Sequence, residues 1–153
     1  MSQVLGRAGR LVIGIGNPSR GDDALGPLAV ERLEALGLPD VEFLTDFQLQ
    51  VEYLLDVDGR KEVIFIDATV EAAVESFAFL PVRPQADVSF SSHALSPQAV
   101  LAAYVRHYGR APPPSRALAI RGSNFELGEG LSDTARANLE AALAFLAGHL
   151  SGA

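Results

Sequence analysis

A chain of 153 residues, 48% apolar with a mean hydropathy of +0.20, is long enough to form one globular domain with its own core. Its net charge of −7, with no lysine or arginine cluster, argues against nucleic acid as a partner, because phosphate neutralisation supplies most non-specific affinity. It has no cysteine, which removes disulfides, zinc–thiolate sites and a cysteine nucleophile together. The apolar runs are strand-sized, short of the roughly 18 residues of a membrane span. The opening MSQVLGRAGR lacks the apolar run of a signal peptide, so a cytoplasmic protein without a membrane partner is expected.

Short apolar runs alternate with helical stripes. Leu11 to Ile15 reads as a first strand, and Leu25, Leu28, Ala29, Leu33 and Leu36 follow at helical spacing, with Gly37 as a stop. Val41 to Thr45 is a second strand and Val51 to Leu55 a short helix. Glu62 to Ala68 reads as a buried strand; Ser76 to Val82 follows too closely for a crossover helix and suits an edge or antiparallel strand. Ser96-Pro97 has the form of an N-cap with proline at the first helical position, ahead of Val100, Leu101, Tyr104, Val105 and Tyr108. Pro112 to Pro114 is a stiff connector to a last strand, Arg116 to Ile120. Ser132 caps a final helix whose Leu139, Ala142, Leu143, Leu146 and Leu150 form one stripe. The alternation predicts an α/β fold: a single domain with a mainly parallel, five-stranded twisted sheet and helices on both faces.

In such sheets the working groups gather beyond the carboxyl ends of the strands. The stretch Leu11 to Gly26, LVIGIGNPSRGDDALG, runs a strand into a turn punctuated by Gly14, Gly16 and Gly21 and delivers Asp22 and Asp23 to a helix start. One aspartate suffices to cap that helix, so the second has another use. Asp67 ends the third strand and His93 precedes the helix capped by Ser96. Two carboxylates and one imidazole make a mixed oxygen and nitrogen set suited to a divalent transition metal. Equally, Asp67 suits a cap and His93 an ordinary loop. His107 and His149 lie near helix C-termini, where a histidine favours the dipole without ligand duty. A dinucleotide fingerprint fails, because Ser19 stands at the third glycine position and carboxylates follow where a pyrophosphate would lie. A nucleophile elbow of the G-x-S-x-G type is absent.

Two families open with related turns. Gly16-Asn17-Pro18-Ser19 is similar to the turn of peptidyl-tRNA hydrolases, but Gly21-Asp22-Asp23 replaces the basic run expected there and the acidic balance is wrong for tRNA. The chain resembles far more closely the hydrogenase maturation endopeptidases, through Gly14-x-Gly16-Asn17, Gly21-Asp22-Asp23-x-x-Gly26, the strand ending Ile66-Asp67-Ala68, and His93 before a helix. That resemblance implies a phosphorylase/hydrolase-like fold and removal of a short C-terminal tail from the large-subunit precursor of a nickel-iron hydrogenase. It further implies that Asp23, Asp67 and His93 bind the precursor's nickel, with no tightly held resident metal. Asp22 then serves as N-cap and support. Apart from the resemblance, which does not identify the attacking group, a general base acting on water is assigned to Asp23 ahead of Asp67 because Asp23 heads a flexible glycine-rich turn.

Where many members carry Asp-Gly-Gly-Thr, this chain has Asp46-Phe47-Gln48-Leu49-Gln50-Val51-Glu52, which, with Gly122-x-x-Phe125-Glu126-x-Gly128, resembles the branch serving soluble NAD-linked hydrogenases. Asn17, Asp46, Gln48 and Glu52 are further supporting or substrate-contacting candidates. A nickel-sensing or chaperone-like module that docks on the large subunit without cutting would use the same three ligands.

Overall fold

The computed structural model describes residues 7–86 and 95–152. Five strands, β1 (Arg10–Ile15), β2 (Val41–Asp46), β3 (Glu62–Thr69), β4 (Phe77–Pro81) and β5 (Ser115–Arg121), form one sheet in the order β2-β1-β3-β5-β4. All neighbours are parallel except β4, which runs antiparallel to β5 at the edge. The short spacing between β3 and β4 predicts that placement: the seven residues 70–76 leave no room for a helical crossover.

Helices α1 (Leu25–Glu34), α2 (Tyr53–Val57), α3 (Pro97–Tyr108) and α4 (Asp133–Ser151) cover both faces. The pleat sorts β3 between two cores. Ile64 and Ile66 pack with Leu25, Leu33, Leu139 and Leu146 beneath α1 and α4. Val63 and Phe65 pack with Leu49, Val57, Leu101 and Tyr104 beneath α2 and α3. A strand buried on both sides has no polar alternation, which is why Val63 to Ile66 reads as an unbroken apolar run.

The expected caps are present: Ser96 Oγ accepts from the Ala99 N–H at 3.1 Å and Ser132 Oγ from the Ala135 N–H at 3.2 Å. Two stripes are narrower than expected. Helix α1 ends at Glu34, which leaves Leu36 beyond it and exposed, and Val105 of α3 turns towards solvent beside the buried Tyr104.

Helix α1 lies unusually close to the sheet because glycines face each other where they meet. A Cβ on Gly26 would collide with the carbonyl oxygens of Ile15 and Ile66, and one on Gly14 would come within 2.7 Å of the Val30 side chain. Replacing Gly26 by alanine must therefore push α1 off the strands. Gly26→Ala is expected to lose about 1–3 kcal/mol, the usual scale of overpacking. Urea denaturation of the two proteins measures it, and an unchanged midpoint would show that the approach is looser than described.

Candidate active site at the sheet switch point

The connection from β1 leads through α1 to β2 on one side, while β3 lies on the other. The carboxyl ends of β1 and β3 thus flank a topological switch point, the place where open α/β sheets leave a crevice. A cleft of about 480 Å³ opens there, lined by Ile15, Gly16, Asp23, Gln48 and Asp67 together with Phe47, Leu49 and the start of α3. Leu49 forms an isolated antiparallel bridge with Leu95, which joins the β2–α2 loop to the segment leading into α3.

Asp23 reaches the cleft through a turn that only glycine can make. Gly16 has φ +147° and Gly21 φ +54°, and a Cβ on Gly16 would overlap the Asp23 carbonyl. The chain then enters a 3₁₀ turn, Gly21–Ala24, that carries both aspartates ahead of α1. The Asn17 N–H donates to Asp23 Oδ2 at 2.7 Å and fixes the half-buried carboxylate. The Asn17 side-chain oxygen accepts from the Ser19 N–H at 2.9 Å.

Asp67 approaches from β3, in register with Ala119 of β5, so it lies within the strand rather than after it. Its Oδ1 accepts from the N–H of Ala68 at 2.8 Å. Crowding by protein atoms raises its pKa to about 7; the Ala68 hydrogen bond opposes that rise and the negative charge of Asp23 adds to it. The residue is open to the cleft, so the dehydration comes from the walls around the carboxyl rather than from enclosure.

Asp22 is not the helix cap expected from its position. Among the described residues, neither the 3₁₀ turn nor α1 has a side-chain cap at its N-cap residue, Arg20 or Ala24. Asp22 is fully buried instead, and its carboxylate accepts four hydrogen bonds from residues more than 100 positions away. They come from the N–H groups of Ser123 (2.7 Å), Asn124 (3.0 Å) and Ser132 (2.8 Å), and from the Ser132 hydroxyl (2.8 Å). Burial by itself raises its pKa, but the four donors outweigh that effect and hold the carboxyl below the usual carboxylate range.

The remaining candidates divide. Gln48 lines the cleft. Asp46 is committed to the loop: Oδ1 accepts from the Phe47 N–H at 2.7 Å and Oδ2 from the Tyr53 hydroxyl at 2.8 Å. Burial, together with Asp46's hydrogen bond and charge, pushes the Tyr53 phenol up to about 12, so it remains a donor. Glu52 is exposed at the start of α2 and lies outside the cleft lining. His93, the third expected ligand, lies outside the described residues. Among the described residues, no three histidine, aspartate or glutamate side chains form a metal cluster. His149 contacts Glu62 at 2.9 Å at the amino end of the sheet, remote from the cleft. What sequence reasoning missed is the hold of Ser123 and Asn124 on Asp22, for which no local signal exists.

Solved structures share this arrangement of strands and helices. The [NiFe] hydrogenase maturation protease HycI of Thermococcus kodakarensis KOD1 is 25% identical, with a TM-score of 0.75 over 97% of this chain and 96% of its own. The Escherichia coli hydrogenase maturating endopeptidase HybD is 29% identical, with a TM-score of 0.71 over 92% of this chain and 91% of its own. The solution structure of an endopeptidase from Escherichia coli is 30% identical, with a TM-score of 0.71 over 94% of this chain and 93% of its own. Neither a family model nor a curated protein sequence matches the chain. Similarity of this extent, on the fold that brings Asp23 and Asp67 together, places the chain in the hydrogenase maturation protease family.

The hydrogen bonds to Asp22 have a measurable signature. A carboxylate whose folded pKa is depressed contributes stability above its unfolded pKa of about 3.9, and that contribution disappears as pH falls through the folded value. Asp22→Asn turns an amide N–H₂ towards existing donors and is expected to lose about 1–3 kcal/mol at neutral pH. The deficit relative to the parent should shrink in acid as the parent's own carboxyl protonates. Denaturation of both proteins across the acid range checks it, and a deficit independent of pH would assign the loss to packing.

Proposed function

We propose that this protein is an endopeptidase that removes a short C-terminal extension from the nickel-loaded large-subunit precursor of a nickel-iron hydrogenase, of the branch serving soluble NAD-linked enzymes. The convergence of Asp23 and Asp67 on one open cleft at the switch point carries this reading. Family membership gives the convergence its chemical direction.

The nickel in this scheme belongs to the substrate. Asp23 and Asp67 supply oxygen ligands and His93 a nitrogen ligand, so docking of a loaded precursor completes a site that the free protein holds only in part. The tail following the metal-bearing segment then lies along the cleft between Gly16 and Gln48. A general base acting on water is assigned to Asp23 ahead of Asp67, as expected from the sequence: the pKa near 7 of Asp67 belongs to the free protein, and nickel bound by that carboxyl would hold it ionised. A cation bridging the two carboxylates would also relieve their mutual repulsion, so that docking and charge neutralisation are one event.

The test is cleavage followed by mass spectrometry. Parent protein is expected to shorten the nickel-loaded precursor and to leave the nickel-free form intact, while Asp23→Asn and His93→Ala abolish processing with thermal midpoints close to the parent's. Protein purified without added metal is expected to hold far less than one equivalent of nickel or zinc by elemental analysis. A stable complex with the loaded precursor, without a change of mass, would identify a docking module instead. Stoichiometric zinc with cleavage of the nickel-free form would identify an ordinary metalloprotease.

Acid should suppress the reaction through Asp67. Below a pKa of about 7 this carboxyl carries a proton in the free protein, and a cation must displace it. Processing is expected to decline as pH falls below about 7 with the fold intact. A flat profile through that range would remove Asp67 from the ligand set.

A further inference from the structure

We propose that Asp22 is a positioning residue that sets the Asp23 carboxylate by clamping the glycine-rich turn to the loop between β5 and α4, an inference that rests on the protease reading for its kinetic consequence. The turn and the loop meet as two irregular segments with complementary backbone groups. The Asp22 N–H donates to the Asn124 carbonyl at 2.7 Å, the Gly21 N–H to the Glu129 carbonyl at 3.1 Å, and the Gly128 N–H to the Ser19 carbonyl at 2.8 Å. The Asp22 side chain closes the join with its four acceptor bonds.

Ser132 shows how closely the join is fitted. Its hydroxyl donates to Asp22, while the same oxygen accepts from the Ala135 N–H at the start of α4 and from the Ser123 hydroxyl at 3.3 Å. The positive end of the 19-residue helix α4 is thereby directed at Asp22. Little space remains for adjustment: a Cβ on Gly122 would stand 2.7 Å from the Asp22 Cβ, and one on Gly21 would strike the Asn124 carbonyl.

Asp23 follows immediately, and its N–H donates to the Arg20 carbonyl at 3.0 Å within the same turn. The direction of its carboxylate is read out by the 2.7 Å bond from the Asn17 N–H. Shifting the Asp22 backbone therefore moves Asp23 relative to Asp67, which is fixed separately in β3. Misplacement of about 1 Å can reduce a rate on the order of 100-fold.

Four variants test this: Asp22→Asn, Ser132→Ala, Ser132→Thr, and Leu143→Ala as a destabilised control in the α4 core remote from the turn. Each is studied well below its unfolding midpoint. The Asn17 amide resonance should shift in Asp22→Asn and less in Ser132→Ala, and stay at the parent position in Ser132→Thr and Leu143→Ala. On nickel-loaded precursor, kcat should fall on the order of 100-fold for Asp22→Asn with little change in KM, and recover from Ser132→Ala to Ser132→Thr. An unmoved Asn17 amide in Asp22→Asn overturns the proposal, as does an equal kcat loss in Leu143→Ala. If even the parent fails to cleave, the protease reading fails while the Asn17 resonance still decides the positioning role.

Discussion

A buried carboxylate is tolerable only where protein donors replace the water it has lost, and Asp22 obtains four of them from the β5–α4 loop, two of these from Ser132, the N-cap of α4. The strand β1 directs the chain out of the sheet, but strand geometry alone does not determine where the following turn comes to rest. Asp22 supplies that constraint by binding the turn to a segment from the far end of the chain. One of two adjacent aspartates thus serves structure, leaving the other half-buried at the cleft with one oxygen held by the Asn17 N–H.

The sheet order supplies the second half of the site. Because β1 and β3 are parallel neighbours whose following segments depart differently, their carboxyl ends meet at a crevice, and Asp67 enters it from a strand buried on both faces at Val63 to Ile66. Rigid support and a crowded carboxyl come together there. Two like charges in one cleft raise the energy of the doubly ionised state, and a divalent cation reverses that sign. On the proposed reading, a free protein in which the charge of Asp23 opposes ionisation of Asp67 and a substrate that brings the cation are complementary in this respect.

Most of the fold was legible because β3, α3 and α4 carry strong local signals: an unbroken apolar run, a serine–proline cap, and a regular leucine stripe above a serine cap. The sharp turn that delivers the acidic pair was legible because Gly16 and Gly21 need positive φ there. Which aspartate does what was only partly legible. Asp22 looks like a cap from its neighbours, and its true partners are Ser123, Asn124 and Ser132, a contact set by tertiary packing that leaves no local pattern. Asp46 and Gln48 show the same limit: one ends β2 and the other stands two residues on, yet the first turns to Tyr53 and the second to the cleft. The edges of the stripes failed for a related reason, since Leu36 continues the helical period after α1 has ended.

Nickel-edge X-ray absorption on the loaded precursor, alone and then with the parent protein at a temperature that slows turnover, addresses the proposed recognition most directly. Completion of the site by Asp23, Asp67 and His93 predicts new oxygen and nitrogen scatterers at the nickel when the protein is added, and their loss with Asp23→Asn. An unchanged nickel environment in a mixture that still forms a complex or still cleaves would contradict it.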